Sequence, residues 1–199
     1  MADGEALLLG KRVAEPTPHR FTYNEVLQWQ SLGLISPESR FELLDGELID
    51  TPSEGGLHKA YKLELGRFFT RALSDEFRCA IDSTLVLEPG DAPEPDLHIF
   101  RCGRPAIDVR GADVLLLIEI ADSFLTHDTV RKVDKYARHG VREYWVVDVN
   151  GRETRVYGPP AAGAYPLFRA VPFNEVLRPS ADLGVELRIS DLPDLQFGV

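Results

Sequence analysis

The sequence predicts an α/β domain in which helices flank a central mixed sheet. A near-continuous apolar run over residues 113–121 predicts a strand buried on both faces. A helical pattern over residues 127–139 and a second apolar run over residues 143–148 follow it, and this order indicates a right-handed parallel crossover. An Asp-Gly pair inside residues 41–50 predicts an antiparallel hairpin. Parallel and antiparallel pairs together make the predicted sheet mixed.

The N-terminal elements begin after a predicted flexible tail over residues 1–20, where two prolines prevent a continuous helix. Thr22 and Glu25 have the spacing of a capping box, which predicts the start of a short helix. This helix is expected to end near Leu32, because a glycine follows. Residues 21–199 are expected to form a single domain.

Further elements are predicted from periodicity and turn residues. Apolar residues at helical spacing predict a long helix over residues 57–77. Strands are predicted where β-favouring runs lie between proline, glycine or Asn-Gly turns. They cover residues 84–87, 96–100 and 154–157, with edge strands at 165–171 and 185–189.

The composition excludes several classes of protein. Hydrophobic residues make up 44% of the 199 residues and charged residues 27%, which excludes wholesale disorder. Lys and Arg total 22 against 32 Asp and Glu, a formal charge of −10 that disfavours nucleic-acid binding through a broad basic surface. A local basic track remains a hypothesis. Its candidate residues are Arg67, Arg71, Arg101, Arg104 and Arg110.

The expected location is the cytoplasm. The apolar runs are far shorter than a bilayer span, and the N-terminal run lacks the charge order of a secretory signal, so no membrane association is expected. The cysteines Cys79 and Cys102 provide neither a disulfide framework nor a metal cluster. Two free thiols fit a reducing compartment.

Two carboxylates at predicted strand ends are candidate functional residues. Asp96 begins one strand, and Glu119 lies near the end of the buried strand, where an acid is costly without a partner. Carboxylates converging from adjacent strands suit a hard cation such as Mg²⁺. The alternative for Glu119 is a buried acid held by backbone amides or a salt bridge.

Lys132 is the candidate basic group. Asp128, Lys132 and Tyr136 are spaced four apart on the predicted helix and share one face. If that face meets the end of the buried strand, the Lys132 amine approaches Glu119, where it would orient a water or stabilise developing negative charge. The alternative is an exposed Asp128–Lys132 ion pair, worth about 0.3–0.5 kcal/mol.

These residues belong to a set of motifs that resembles the Uma-type family, whose members are described as putative restriction endonucleases. The resemblance runs from about Thr22 to Tyr157, and its most specific part is the Tyr-Ala, Gly-Val and Glu-Tyr-Trp sequence inside residues 136–145. The full set comprises Asp45-Gly46-Glu47-Leu48, His58, Pro95-Asp96-Leu97 and the block from Glu119 to Asp148.

The family resembles part of the PD-(D/E)xK nuclease superfamily. This implies a restriction-endonuclease-like mixed sheet flanked by helices and an endonuclease that hydrolyses DNA with Mg²⁺ or Mn²⁺. By position, Asp96 and Glu119 would be metal ligands. The simplest superfamily pattern has a lysine at position 121, where this chain has Ala121; the family is expected to move that lysine to the following helix, as Lys132.

The resemblance leaves several alternatives open. Asp122 adds negative charge beside the expected site, which motivates a second hypothesis of a catalytically inactive nuclease-like domain acting as a binding or regulatory module. His58 would contact a phosphate, support the site or simply cap its helix. The sequence does not decide which of Glu42 and Glu47 faces inward. A homodimer is expected by analogy with superfamily members that cut both strands.

Overall fold

The computed structural model describes residues 17–36, 38–51, 53–122, 127–193 and 195, with side chains of residues 127–130 outside the description. Most of the predicted tail, residues 1–20, lies outside this part. Within it the helices are α1 (Tyr23–Ser31), α2 (Gly56–Ala72) and α3 (His127–Arg138). The strands are β1 (Phe41–Leu44), β2 (Glu47–Asp50), β3 (Phe77–Ile81), β4 (Leu97–Arg101), β5 (Val114–Ala121), β6 (Tyr144–Asp148), β7 (Glu153–Tyr157) and β8 (Arg169–Pro172).

A mixed sheet forms the centre of the fold. Its strands follow the order β3-β4-β5-β6-β7-β8. The β5–β6 pair is parallel, as the strand–helix–strand pattern indicates, and the other neighbouring pairs are antiparallel. The predicted α/β class, a mixed sheet flanked by helices, is therefore confirmed. No helix in the described part of the chain has the length and apolar character needed to cross a bilayer.

Local signals near the N-terminus act as predicted. The Thr22 hydroxyl accepts a hydrogen bond from the Glu25 amide, and the Glu25 carboxylate accepts one from the Thr22 amide, so the capping box of α1 is complete. Asp45 and Gly46 have φ of 52° and 73°, the positive values that a two-residue hairpin turn requires. This turn joins β1 to β2 in a separate two-stranded sheet.

The predicted long helix over residues 57–77 is wrong at its C-terminal end. Helix α2 stops at Ala72, and the chain turns through Ser74, whose carbonyl accepts a hydrogen bond from the Phe77 amide. Strand β3 then begins at Phe77 and pairs with β4, with Cys79 opposite Ile99. Sheet pairing overrides the helical spacing here, and β3 becomes one edge of the sheet.

Two other strand predictions are also wrong. Residues 84–87 form no sheet strand, because the amides of Leu85 and Leu87 donate to the carbonyls of Pro93 and Asp91 across a local turn. Residues 185–189 form one isolated bridge, at Leu187, rather than an edge strand. The edge strand predicted over residues 165–171 shortens to β8.

Alternation along β5 and β6 divides the core between the two faces of the sheet. Trp145 and Val147 pack in the cluster that contains Phe69 of α2. Tyr144 and Val146 pack in the cluster that contains Tyr136 of α3. On β5, Leu117 belongs to the α3 cluster, so Glu119, two residues later, points to that face as well. This alternation directs the Glu119 carboxylate toward α3.

Candidate functional site

A cleft of about 290 Å³ opens where the end of β5 meets the first turn of α2, the hairpin and α3. Its lining is strongly acidic. The carboxyl groups are those of Glu42, Glu54, Asp82, Glu94, Asp96, Glu119 and Asp122. Arg40 and Lys132 are the lining residues with permanent positive charge, and His58 also lines the cleft.

Lys132 joins two of these acids. Its ammonium donates to Glu42 Oε1 at 2.8 Å and to Glu119 Oε1 at 3.2 Å, so helix α3 faces the end of β5. The Tyr136 hydroxyl, one turn further along α3, donates to the same Glu119 oxygen at 2.9 Å. The side chains of Lys132, Glu119 and Glu42 are 12%, 15% and 6% exposed. Little water reaches this triad of charged side chains, so the electrostatic interactions among the three groups are stronger than in water.

One ammonium cannot neutralise two carboxylates. Burial raises the pKa of Glu119 to about 7; the positive charge of Lys132 opposes this rise, while the negative charges of Asp96 and Glu42 add to it. Burial disfavours the charged form of Lys132, but Glu119 and Glu42 outweigh burial and hold its pKa above the ordinary value. Lys132 is therefore cationic at neutral pH, and Glu119 is close to its midpoint.

The Glu119→Gln variant is expected to lack a pH-dependent contribution to the free energy of unfolding that the wild type has. The ordinary pKa of 4.5 describes the unfolded chain, and the folded value is about 7, so the folded state binds the proton more tightly. This contribution is fully present below about pH 4.5 and is lost as pH rises through about 7. Urea unfolding across this range should show the wild type losing stability relative to Glu119→Gln. Parallel pH curves would contradict the assignment.

Asp96 is fixed by two contacts at the start of β4. Its Oδ2 accepts a hydrogen bond from the Ile120 amide at 2.7 Å, and its Oδ1 lies 2.7 Å from His58 Nε2. Burial disfavours protonation of His58, but the hydrogen bond and charge of Asp96 outweigh it and raise the His58 pKa above its ordinary value. The structure thus brings Asp96 into the same cleft as Glu119 and Lys132.

Glu54 completes a second group beside Asp96. Ligand atoms of Glu54, His58 and Asp96 lie within 4.8 Å of one another, a geometry open to a metal ion. Lys62 competes for these acids, with its amine 2.6 Å from Glu54 Oε2 and 3.8 Å from Asp96 Oδ1. Burial favours protonated Glu54, but hydrogen bonds from Lys62 and Arg40 outweigh burial and lower its pKa to about 2. Glu54 is therefore an anion at neutral pH.

A neighbouring ion network attaches the hairpin to α3. The Lys135 amine lies 2.6 Å from Asp91 Oδ1 and also contacts Asp45 at the hairpin turn. Arg131 Nε donates to the outer Asp45 oxygen at 2.8 Å. Asp91 Oδ1 in turn accepts the Asp45 amide at 2.7 Å. These contacts hold β1, and with it Glu42, against Lys132.

The structure shows where the side chains lie whose placement the sequence left open. Glu42 faces into the cleft, whereas Glu47 is exposed. His58 contacts Asp96 rather than only capping its helix. In the sequence Glu42, like Glu119, is an acid inside an apolar run, and this pattern could have identified it as a site residue. Glu54 lies in a loop rich in breakers, where no spacing pattern marks it.

The predicted arginine track is divided by the fold. Arg101 lies 3.3 Å from Glu76, and Arg104 lies 2.7 Å from Asp113. Arg110 donates to backbone carbonyls. The remaining two members, Arg67 and Arg71, lie together on α2.

Comparisons with known proteins agree with this architecture. A solved structure of "a putative nuclease belonging to DUF820" from Anabaena variabilis ATCC 29413 is similar, with a TM-score of 0.69 and 19% sequence identity, over 88% of this chain and 98% of the other. At this identity the likeness shows a shared fold. No curated protein sequence matches the chain. The family model Uma2, described as "Putative restriction endonuclease", matches residues 23–190. The family resemblance is thus confirmed, and the chain belongs to the Uma2 family.

Proposed function

We propose that this protein is a metal-dependent endonuclease that hydrolyses phosphodiester bonds of DNA. One observation carries the proposal: a buried cation, Lys132, contacts Glu119 in a cleft that also contains Asp96. Family membership and the nuclease fold support the reaction class. Lys132 replaces the lysine that the superfamily pattern places at position 121, where Ala121 stands.

Asp96 and Glu119 would hold Mg²⁺ or Mn²⁺, with His58 and Glu54 near enough to Asp96 to add ligands. Such an ion lowers the pKa of a bound water and stabilises charge on a phosphoryl oxygen. The oxygen donors suit Mg²⁺, whereas an imidazole donor favours transition metals. A preference for Mn²⁺ over Mg²⁺ that is lost in the His58→Gln variant would therefore indicate that His58 takes part.

Lys132 acts as a donor in this proposal. Its raised pKa keeps the amine protonated at neutral pH, so it does not serve as a general base. It would orient a water and stabilise negative charge that develops on the phosphate. Glu119 would bind the ion as the carboxylate, and its pKa of about 7 makes ion binding stronger as the pH rises.

Cleavage of supercoiled plasmid and single-stranded DNA with Mg²⁺ or Mn²⁺ tests the proposal. We expect Asp96→Asn and Glu119→Gln to reduce the rate more than about 100-fold, because each removes a ligand. Glu47→Gln is the matched control, since Glu47 is an exposed acid outside the lining of the cleft. Equal cleavage by all four proteins would contradict the assignment.

The alternative of an inactive binding or regulatory module has one specific observation in its favour. Asp122 adds a carboxylate to a cleft already rich in them. Calorimetric titration with Mg²⁺ and Mn²⁺ separates the two functions. Binding that Asp96→Asn abolishes supports the nuclease, and no metal binding by the wild type supports the module. The homodimer and the cytoplasmic location stay predictions.

A further inference from the structure

A second depression, called the α2 groove here, lies between the exposed face of α2 and the edge strand β3. Its volume is about 410 Å³. Four basic side chains line it, those of Lys59, Lys62, Arg67 and Arg71, and the single acid in its lining is Asp82. The whole chain has more acidic than basic residues, so the α2 groove reverses the overall charge balance.

Two of the four cations face solvent with little compensation. Asp82 is already bonded to Lys62 at 2.7 Å. Arg67 is 45% exposed, but it lies 3.6 Å from the carboxylate of Glu64, which is only 3% exposed, so part of its charge is compensated there. In the part of the chain that the structure describes, no carboxylate oxygen lies within 4 Å of the charged nitrogens of Lys59 or Arg71. These positive charges are available to an external anion.

The cations are arranged in a row. Lys59, Leu63, Arg67 and Arg71 follow one another along α2 at intervals of four residues; three of them are cations, and Leu63 separates Lys59 from the two arginines. Each interval advances about 6 Å along the helix axis, and the row is about 18 Å long. A row of charges suits a polymer of repeated anions better than a single small anion.

The groove also offers apolar surface and a path to the cleft. Leu63 and Ile81 line it while 66% and 42% exposed, which gives the flat faces of nucleobases a place to pack. Asp82 belongs both to the α2 groove and to the lining of the cleft. The α2 groove and the cleft therefore adjoin each other at Asp82.

We propose that the α2 groove binds the phosphate backbone of the nucleic-acid strand whose scissile phosphodiester enters the cleft. This inference rests on the proposed nuclease function, and it adds the surface that such a substrate would follow. The continuity with the cleft favours nucleic acid over an acidic protein segment. It also shows how a chain of charge −10 binds a polyanion, through a local row rather than its whole surface.

Fluorescence anisotropy of labelled single-stranded and duplex DNA in EDTA tests this surface, because binding is then measured without cleavage. We expect the Lys59→Gln/Arg71→Gln variant, which leaves the Arg67–Glu64 contact in place, to bind about tenfold more weakly, with the slope of log affinity against log salt reduced by about two. The matched control is Arg142→Gln/Arg169→Gln, which removes the same charge from exposed positions outside the groove and cleft. Its affinity should change less than about twofold.

Each outcome decides one proposal. If the groove variant binds DNA as well as the control variant does, the α2 groove is excluded, whatever the cleavage assay shows. If Asp96→Asn loses cleavage but binds DNA normally, and the groove variant loses binding, both proposals are supported. A wild type that binds no DNA overturns the groove. Equal displacement by polyglutamate and by unlabelled DNA, charge for charge, would show that the α2 groove does not distinguish nucleic acid from an acidic polypeptide and would overturn the nucleic-acid assignment.

Discussion

The Lys132→Met variant is expected to lose roughly 3–5 kcal/mol of unfolding free energy, because it removes the one cation between two buried carboxylates. Glu42 and Glu119 are only 6% and 15% exposed, so water cannot replace the lost ammonium. Glu42 would keep its hydrogen bond from the Glu94 amide, and Glu119 its bond from Tyr136. The donors in these two bonds, a backbone amide and a hydroxyl, are uncharged, so they leave the negative charges of the two carboxylates uncompensated.

Urea unfolding at about pH 8 and about pH 5 measures this loss. The penalty should be smaller at the lower pH, since Glu119, whose pKa is already raised, then takes up a proton. The Lys132→Met/Glu119→Gln variant is the control, and we expect it to recover part of the lost stability. A penalty below about 1 kcal/mol at both pH values, typical of a surface pair, would show that the triad does not behave as a buried unit.

The Lys135→Met variant is expected to cost a similar amount, roughly 3–5 kcal/mol, because it too leaves a buried carboxylate without its ammonium partner. Lys135 and Asp91 are each 2% exposed at the side chain, and their charged atoms lie 2.6 Å apart. Removing the lysine leaves the Asp91 carboxylate buried without a cation. The Asp45 amide still donates to Asp91, which compensates only a fraction of the charge.

The matched comparison is Arg131→Met on the same helix. Arg131 also contacts Asp45, but its side chain is 36% exposed, so its loss should cost no more than about 1 kcal/mol. Urea midpoints of the two variants give the contrast directly. Equal losses would mean that burial does not determine the strength of this network.

Local rules explain much of the fold. The capping box at Thr22 and the Asp45–Gly46 turn involve neighbouring residues, and the sequence predicts both correctly. Strand β3 involves a distant partner: its first residue, Phe77, lies at the end of the helix that the apolar spacing predicts, but it pairs with Arg101 of β4 instead. Residues 84–87 have the composition of a strand, but their amides are satisfied within a local turn. The spacing of apolar residues along the chain does not reveal which distant strand or local carbonyl the backbone amides will bond to.

The contacts of the candidate site also divide into those that local spacing predicts and those that depend on tertiary packing. The four-residue spacing of Lys132 and Tyr136 predicts a shared face, and both side chains do contact Glu119. The contact between Lys132 and Glu42 joins residues 90 apart in the chain. It depends on how the hairpin packs against α3, which no local pattern encodes. His58 reaches Asp96 for the same reason, through the packing of α2 against β5.

The acidic lining of the cleft has a consequence for the order in which ligands arrive. Seven carboxyl groups and two permanent cations line the cleft, and Lys62 contacts three of the acids from outside the lining, so the acids are in excess and a phosphodiester that arrived alone would meet Coulomb repulsion. A divalent cation entering beforehand would offset part of that negative charge at the point where the phosphate binds. The metal ion would then bind before the DNA. In EDTA, bound DNA would lie on the α2 groove, with its scissile bond outside the cleft that contains Asp96 and Glu119.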